Sequence, residues 1–242
     1  MNIALKDLLK HSLVITIDDK KYEWFKKVFK FHGISPMPKR FPGTTLWYNS
    51  GKYNCYLSHR EVILTAKKKK WPYVFVFEDD AYPINGAVEE MQKCLDELPD
   101  ECNVLSFGNI FLWDIRGEWG KFWRSYRSYG SHAYVVFQSA YDKFIEMLDL
   151  GHEGDSAFYS RSDDILPKDS FFMPKKNLFI QYGESDGVNN NSGYVLLDQS
   201  KVYAKDGKLI VPPDKTIPVE HAVALGFPDA DEIKGLSKPN IA

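Results

Sequence analysis

Glu78, Asp79 and Asp80 are three consecutive carboxylates set directly behind Tyr73-Val74-Phe75-Val76-Phe77, an unbroken apolar and aromatic run. Side chains alternate along an extended segment, so Glu78 and Asp80 are expected to point one way and Asp79 the other. Such a pair offers the oxygen donors that Mg²⁺ and Mn²⁺ accept, usually one or two carboxylates with water and substrate phosphate completing the shell. Like charges crowded at a buried edge raise one another's pKa, which a bound cation relieves. The competing reading is a strand that merely ends in a solvated acidic turn, the commoner fate of an acidic triplet. The buried character of the run before it weighs against that reading, and makes Glu78 and Asp80 the candidate metal ligands.

An apolar run of this kind is what an interior strand covered on both faces looks like, and open α/β sheets bind their ligands beyond the carboxyl ends of the strands. Leu13 to Ile17 is a second such run, ending at Asp18-Asp19 and followed by a helical spacing of Trp24, Val28 and Phe31. Gly33 closes that helix, and Pro36, Pro38 and Pro42 mark residues 35–45 as a loop. Helical spacing returns with Cys55, His59, Val62 and Ala66, and Lys67 to Lys70 complement the dipole at the helix end. His59 on that face is, as a lone His, more often a satisfied core histidine than a binding residue.

Further along, Ile84 to Leu98 predicts a helix, with Ala87, Met91 and Leu95 aligned, and Val104 to Phe107 a strand. Residues 109–129 are dense in Trp, Tyr and Arg without clear period. Ala133 to Phe137 reads as a strand, Ser139 with Asp142 as a helix start before Phe144, Met147 and Leu148, Leu178 to Tyr182 as a strand, and Val202 to Val211 as a hairpin about Asp206-Gly207. The alternation predicts an α/β fold, a mainly parallel twisted sheet flanked by helices. One domain is expected over residues 1–190, with 191–242 as a C-terminal extension packed on it.

The 31 Lys and Arg against 33 Asp and Glu give a net charge of −2, which leaves no global field to draw the chain onto nucleic acid. The 3 cysteines form no CxxC pair and suit neither a disulfide scaffold nor a thiolate zinc site, so a reducing compartment is expected. No apolar run approaches the roughly 18 residues that span a bilayer. The expectation is a cytoplasmic protein with at most peripheral contact at the inner face of the membrane. Phe111, Trp113, Trp119, Trp123, Tyr126 and Tyr129 offer either a stacking surface for a sugar or core packing. Arg116, Arg124 and Arg127 among them offer bidentate contacts to anions or ordinary surface charge.

Taken together, Gly51-Lys52-Tyr53-Asn54-Cys55-Tyr56-Leu57-Ser58-His59, the strand from Tyr73 to Asp80, Val14-Ile15-Thr16-Ile17-Asp18, Gly130-Ser131-His132-Ala133-Tyr134 and the stretch from Pro174 through Gln181 to Ser185 resemble glycosyltransferase family 25. That family comprises bacterial lipopolysaccharide and lipooligosaccharide glycosyltransferases and has collagen galactosyltransferase relatives. The likeness spans about residues 13–187, departing at Asn54, where the family has Gly, and at Lys52, where it has an acid. The resemblance implies a GT-A-like fold and transfer, with inversion, of a sugar such as galactose from a UDP-sugar to a glycan or glycolipid acceptor. It implies Mn²⁺ or Mg²⁺ on Glu78 and Asp80, and places Ile17, Asp18, Ser58, His59, Glu78 and Asp79 around the donor. It offers Asp155 as the base that takes the acceptor's proton, with Asp163 and Asp164 as competitors. Two other classes stay open: a silent nucleotide-sugar binding protein, and a metal-dependent phosphohydrolase, for which no second acid or His cluster is evident.

Overall fold

The computed structural model describes residues 3–46, 51–108, 111–129, 131–150, 171–181, 204–205 and 208–209. In chain order the first elements are α1 (Leu5–Lys10), β1 (Ser12–Thr16), α2 (Asp19–Phe31), β2 (Lys39–Pro42), α3 (Gly51–Lys68), β3 (Tyr73–Glu78), β4 (Ala81–Pro83) and α4 (Ala87–Asp96). They are followed by β5 (Val104–Gly108), β6 (Phe111–Trp119), β7 (Phe122–Tyr129), β8 (Ala133–Phe137), α5 (Tyr141–Leu150), β9 (Phe171–Pro174), β10 (Phe179–Gln181), β11 (Ala204–Lys205) and β12 (Lys208–Leu209). The fold is mixed α/β, with a large sheet ordered β2-β1-β3-β8-β5-β9-β7-β6 and helices on its faces. β1 runs parallel to β2 and β3, and β5 parallel to β9. β8 and β7 run the other way, each antiparallel to its neighbours.

β3 lies inside the sheet, and alternation along it feeds two cores. Phe75 and Phe77 face one cluster with Trp24, Phe25, Val28 and Phe29 of α2 and Met91 and Leu95 of α4. Val74 and Val76 face the other, with Val62, Ile63 and Ala66 of α3 and Phe144, Met147 and Leu148 of α5. Burying each such side chain contributes about 1.5–3 kcal/mol, so both faces of the acidic motif's strand are firmly held.

Several details differ from the sequence expectations. Phe31 is exposed, because α2 buries the stripe Trp24, Phe25, Val28 and Phe29 and leaves its last turn outside. Residues 5–10 form a helix whose Leu5, Leu8 and Leu9 are buried, despite the charges between them. The helix expected from Ile84 begins at Ala87, since the Ile84 amide is bonded to the Leu178 carbonyl and Gly86 adopts φ 79° ahead of the first turn. Ser139 does not cap α5: its hydroxyl donates to Asn103 Oδ1 at 2.7 Å. Residues 111–129 form a long antiparallel hairpin turning at Gly120-Lys121, in which Phe122 is buried and Trp119 exposed. Of the segment 202–211, Ala204 pairs antiparallel with Leu209 and Lys205 with Lys208, while Asp206-Gly207 lie outside the described residues. The boundary at residue 190 falls outside the described residues.

Asp18 is the N-cap of α2, its carboxylate accepting from Lys20 N at 2.6 Å and Lys21 N at 3.3 Å. Asp18→Ala removes both bonds and is expected to lower the unfolding free energy by about 1 kcal/mol, within a range of about 0.5–2. Urea denaturation followed by circular dichroism measures it, and an unshifted midpoint would show that the cap contributes nothing to the fold.

Candidate active site

β1 and β3 are parallel neighbours with Ile15 opposite Glu78, so their carboxyl ends lie level. Side chains that follow one strand therefore meet those that follow the other. Thr16 Oγ1 donates to Asp79 Oδ2 at 2.5 Å, fixing that carboxylate toward β1. Glu78 leaves the opposite face: Ser131 Oγ donates to its Oε1 at 2.6 Å, and His59 Nε2 of α3 lies 3.2 Å from the same oxygen. The strand itself stops at Glu78, and Asp79-Asp80 form the turn into β4. The divergence of Glu78 and Asp79 follows the expected alternation, but extended geometry does not continue through Asp80.

β8 runs antiparallel beside β3, with Ala133 opposite Phe77. Its preceding residues Ser131 and His132 therefore arrive at the acidic end, where the Glu78 amide donates to the His132 carbonyl at 3.0 Å. His132 is buried and its Nε2 donates to the Phe179 carbonyl at 3.1 Å, which ties β10 to the site. Gly108 of β5 makes room for that ring. Tyr134, one pleat along β8, places its hydroxyl 2.8 Å from His59 Nδ1. Among the sequence candidates, Ser58 is buried, and its hydroxyl donates to the Asn54 carbonyl and accepts from Thr44 N, holding the loop after β2. Ile17 stands exposed at the rim. Asp155 lies outside the described residues, as do Asp163 and Asp164.

Thr16, Ser131 and Tyr134 stand in segments that carry the family resemblance, but the sequence assigns them no role at the site. The signal for the first was its place next to Ile17 at a strand end, and for the others the strand at Ala133, but which strands pair is not written in local spacing.

The charge pattern at this edge is uneven. Burial is the largest influence on Glu78 and works to raise its pKa, yet the approach of His59 and the Ser131 bond together hold it below the usual value. Burial, then the Glu78 and Asp18 charges, push Asp79 up against the Thr16 bond and the Lys21 charge. The oxygen donors of Glu78 and Asp80, and the cost of keeping Asp79 ionised beside them, fit a divalent cation.

Burial pulls His132 below its ordinary 6.5, outweighing the Phe179 bond and the Glu78 charge that favour its protonation, and desolvation does the same to His11. A depressed histidine is protonated in the unfolded chain before the folded one, so stability is full above 6.5 and falls as pH drops below it. Glu78, depressed from 4.5, adds a loss at more acid pH. Asp79, raised from 3.8, acts with opposite sign. The urea midpoint is expected to fall between about pH 7.5 and about pH 5.5, and a flat profile there would show that His132 is not held neutral.

No protein-family model matches the chain, and no curated protein does. Among solved structures, a glycosyltransferase involved in the glycosylation of the major capsid of PBCV-1 is similar at 9% identity and TM-score 0.47, over 72% of this chain and 92% of that one. A Drosophila β1,4-galactosyltransferase 7 mutant, in complex with manganese, UDP-Gal and xylobiose, is similar at 10% identity and TM-score 0.36, over 69% of this chain and 68% of that one. A mannose-1-phosphate geranyltransferase from Thermus thermophilus is similar at 9% identity and TM-score 0.38, over 68% of this chain and 73% of that one. Among the described residues no helix is long and apolar enough to cross a membrane.

Proposed function

We propose that the chain is a metal-dependent inverting glycosyltransferase of GT-A type, allied to family 25, that moves a sugar such as galactose from a UDP-sugar to a glycan or glycolipid. The observation that carries this reading is the acidic turn at the level carboxyl ends of β1 and β3, with Thr16 and Ser131 aiming two of its carboxylates to opposite faces. Glu78 and Asp80 would hold Mn²⁺ or Mg²⁺, whose positive charge would stabilise the departing UDP.

The chain's own residues do the positioning. Thr16 holds Asp79 at the β1 side, where exposed Ile17 offers an apolar face to a nucleoside. Asp18 starts α2 and Ser58 fixes the loop beside them, so both act by shaping the rim. Asp155 is the proposed base; its task is to take the acceptor hydroxyl's proton as the sugar's anomeric carbon is attacked from the face opposite UDP. Titration calorimetry of UDP with and without Mn²⁺ tests the reading. Saturable binding that requires the metal is expected, and absence of binding in both conditions would overturn it. Slow metal-dependent hydrolysis of UDP-galactose distinguishes an enzyme from a silent binder.

A further inference from the structure

Cys55, His59 and Glu78 bring one sulfur, one imidazole nitrogen and one carboxylate oxygen within 4.8 Å of one another. Cys55 and His59 are four residues apart on α3, hence one above the other on the same helical face, and Glu78 reaches them from the end of β3. His59 is 1% exposed. Its Nδ1 pairs with the Tyr134 hydroxyl, while its Nε2 points at Glu78 Oε1, close but without hydrogen-bond geometry. A buried ring nitrogen left in that state is costly. It is also how a metal-binding histidine is arranged, one nitrogen fixed by a neighbour and the other presented to the ion.

We propose that Cys55, His59 and Glu78 form a binding site for a borderline divalent cation of the zinc class, different in chemistry from the all-oxygen site of Glu78 and Asp80. Sulfur and imidazole favour zinc over Mn²⁺ or Mg²⁺. The pattern is a mixed one, a single thiolate with a histidine a turn later, so a search for paired cysteines passes over it. Tetrahedral zinc, with Zn–S about 2.3 Å and Zn–N about 2.0 Å, holds its ligand atoms roughly 3.3–3.6 Å apart. The exposed Cys55 side chain can swing to close the remaining gap. The thiol proton passes to solvent as the sulfur–zinc bond forms, and water fills the fourth position. Glu78 belongs to both sites, so zinc excludes the hard cation. That second part rests on the transferase reading; the zinc site itself does not.

Cobalt(II) titration of the untagged full chain is the test, because thiolate ligation gives a near-ultraviolet charge-transfer band that oxygen ligands do not. A saturable band at one equivalent is expected, displaced by Zn²⁺, retained in Asp80→Asn and lost in Cys55→Ser. No band, or a band undiminished in Cys55→Ser, overturns the site. His59→Gln gives an independent loss; if that buried variant fails to fold, Cys55→Ser, at an exposed position, decides alone. In the native chain one equivalent of Zn²⁺ is expected to weaken Mn²⁺-dependent UDP binding at least tenfold, and unchanged binding overturns the sharing of Glu78. A cobalt band in a chain that binds no UDP would leave the zinc site standing and remove the transferase reading.

Discussion

Asp80→Asn is expected to abolish Mn²⁺-dependent UDP binding and to lower sugar transfer by at least about a hundredfold, about 2.7 kcal/mol of transition-state stabilisation. Asn keeps the shape of the side chain but removes the charge a hard cation requires. β3 is anchored by Phe75 and Phe77 on one face and Val74 and Val76 on the other, all behind the turn. The variant should therefore unfold at close to the native urea midpoint. Calorimetry with UDP and Mn²⁺, alongside a transfer assay with UDP-galactose, measures both halves. Full transfer activity would remove Asp80 from the metal site. Loss of activity with a collapsed midpoint would instead give Asp80 a structural part.

The residues that carry this expectation were legible because the acidic motif is local. Five apolar residues and three acids in a row announce a buried strand and its polar end, and β3 lies where that pattern puts it. The helical face of Cys55, His59, Val62 and Ala66 was equally legible, since a period of 3.6 is written in neighbouring residues. What gathers around the acids was not. Thr16 meets Asp79 across 63 positions because β1 and β3 pair in one register. Ser131 reaches Glu78 across 53 because β8 runs backwards beside β3, a reversal that no stretch of sequence spells out. α1 was hidden for a different reason: three leucines among lysines and an aspartate are too short a signal, and it is burial against the main core that makes them a helix. The hairpin from Phe111 to Tyr129 was obscured because its aromatic and charged residues follow no simple alternation, while its pairing slips between Ile115 and Gly117.

Gly108→Ala is expected to destabilise the chain strongly and to disturb the site through His132. A Cβ at this position would lie 2.3 Å from His132 Nε2, 2.5 Å from its Cδ2 and 3.0 Å from the Phe179 Cβ. None of these can give way cheaply. The imidazole is buried and pinned to the Phe179 carbonyl, and Phe179 packs edge-on to Phe75 and against Phe77. Overpacking of this kind costs about 1–3 kcal/mol, and loss of the His132 bond, leaving a buried carbonyl unpaired, adds about 1–3 more. Displacement of the ring also shifts the His132 carbonyl that holds the Glu78 amide, so UDP and Mn²⁺ binding should weaken in whatever fraction remains folded. A double-mutant cycle with His132→Ala isolates the cause, since removing the ring makes room for the new methyl. The combined variant is expected to be less destabilised than the sum of the two single changes. Strict additivity would show that the imidazole is not what requires glycine at this point of β5.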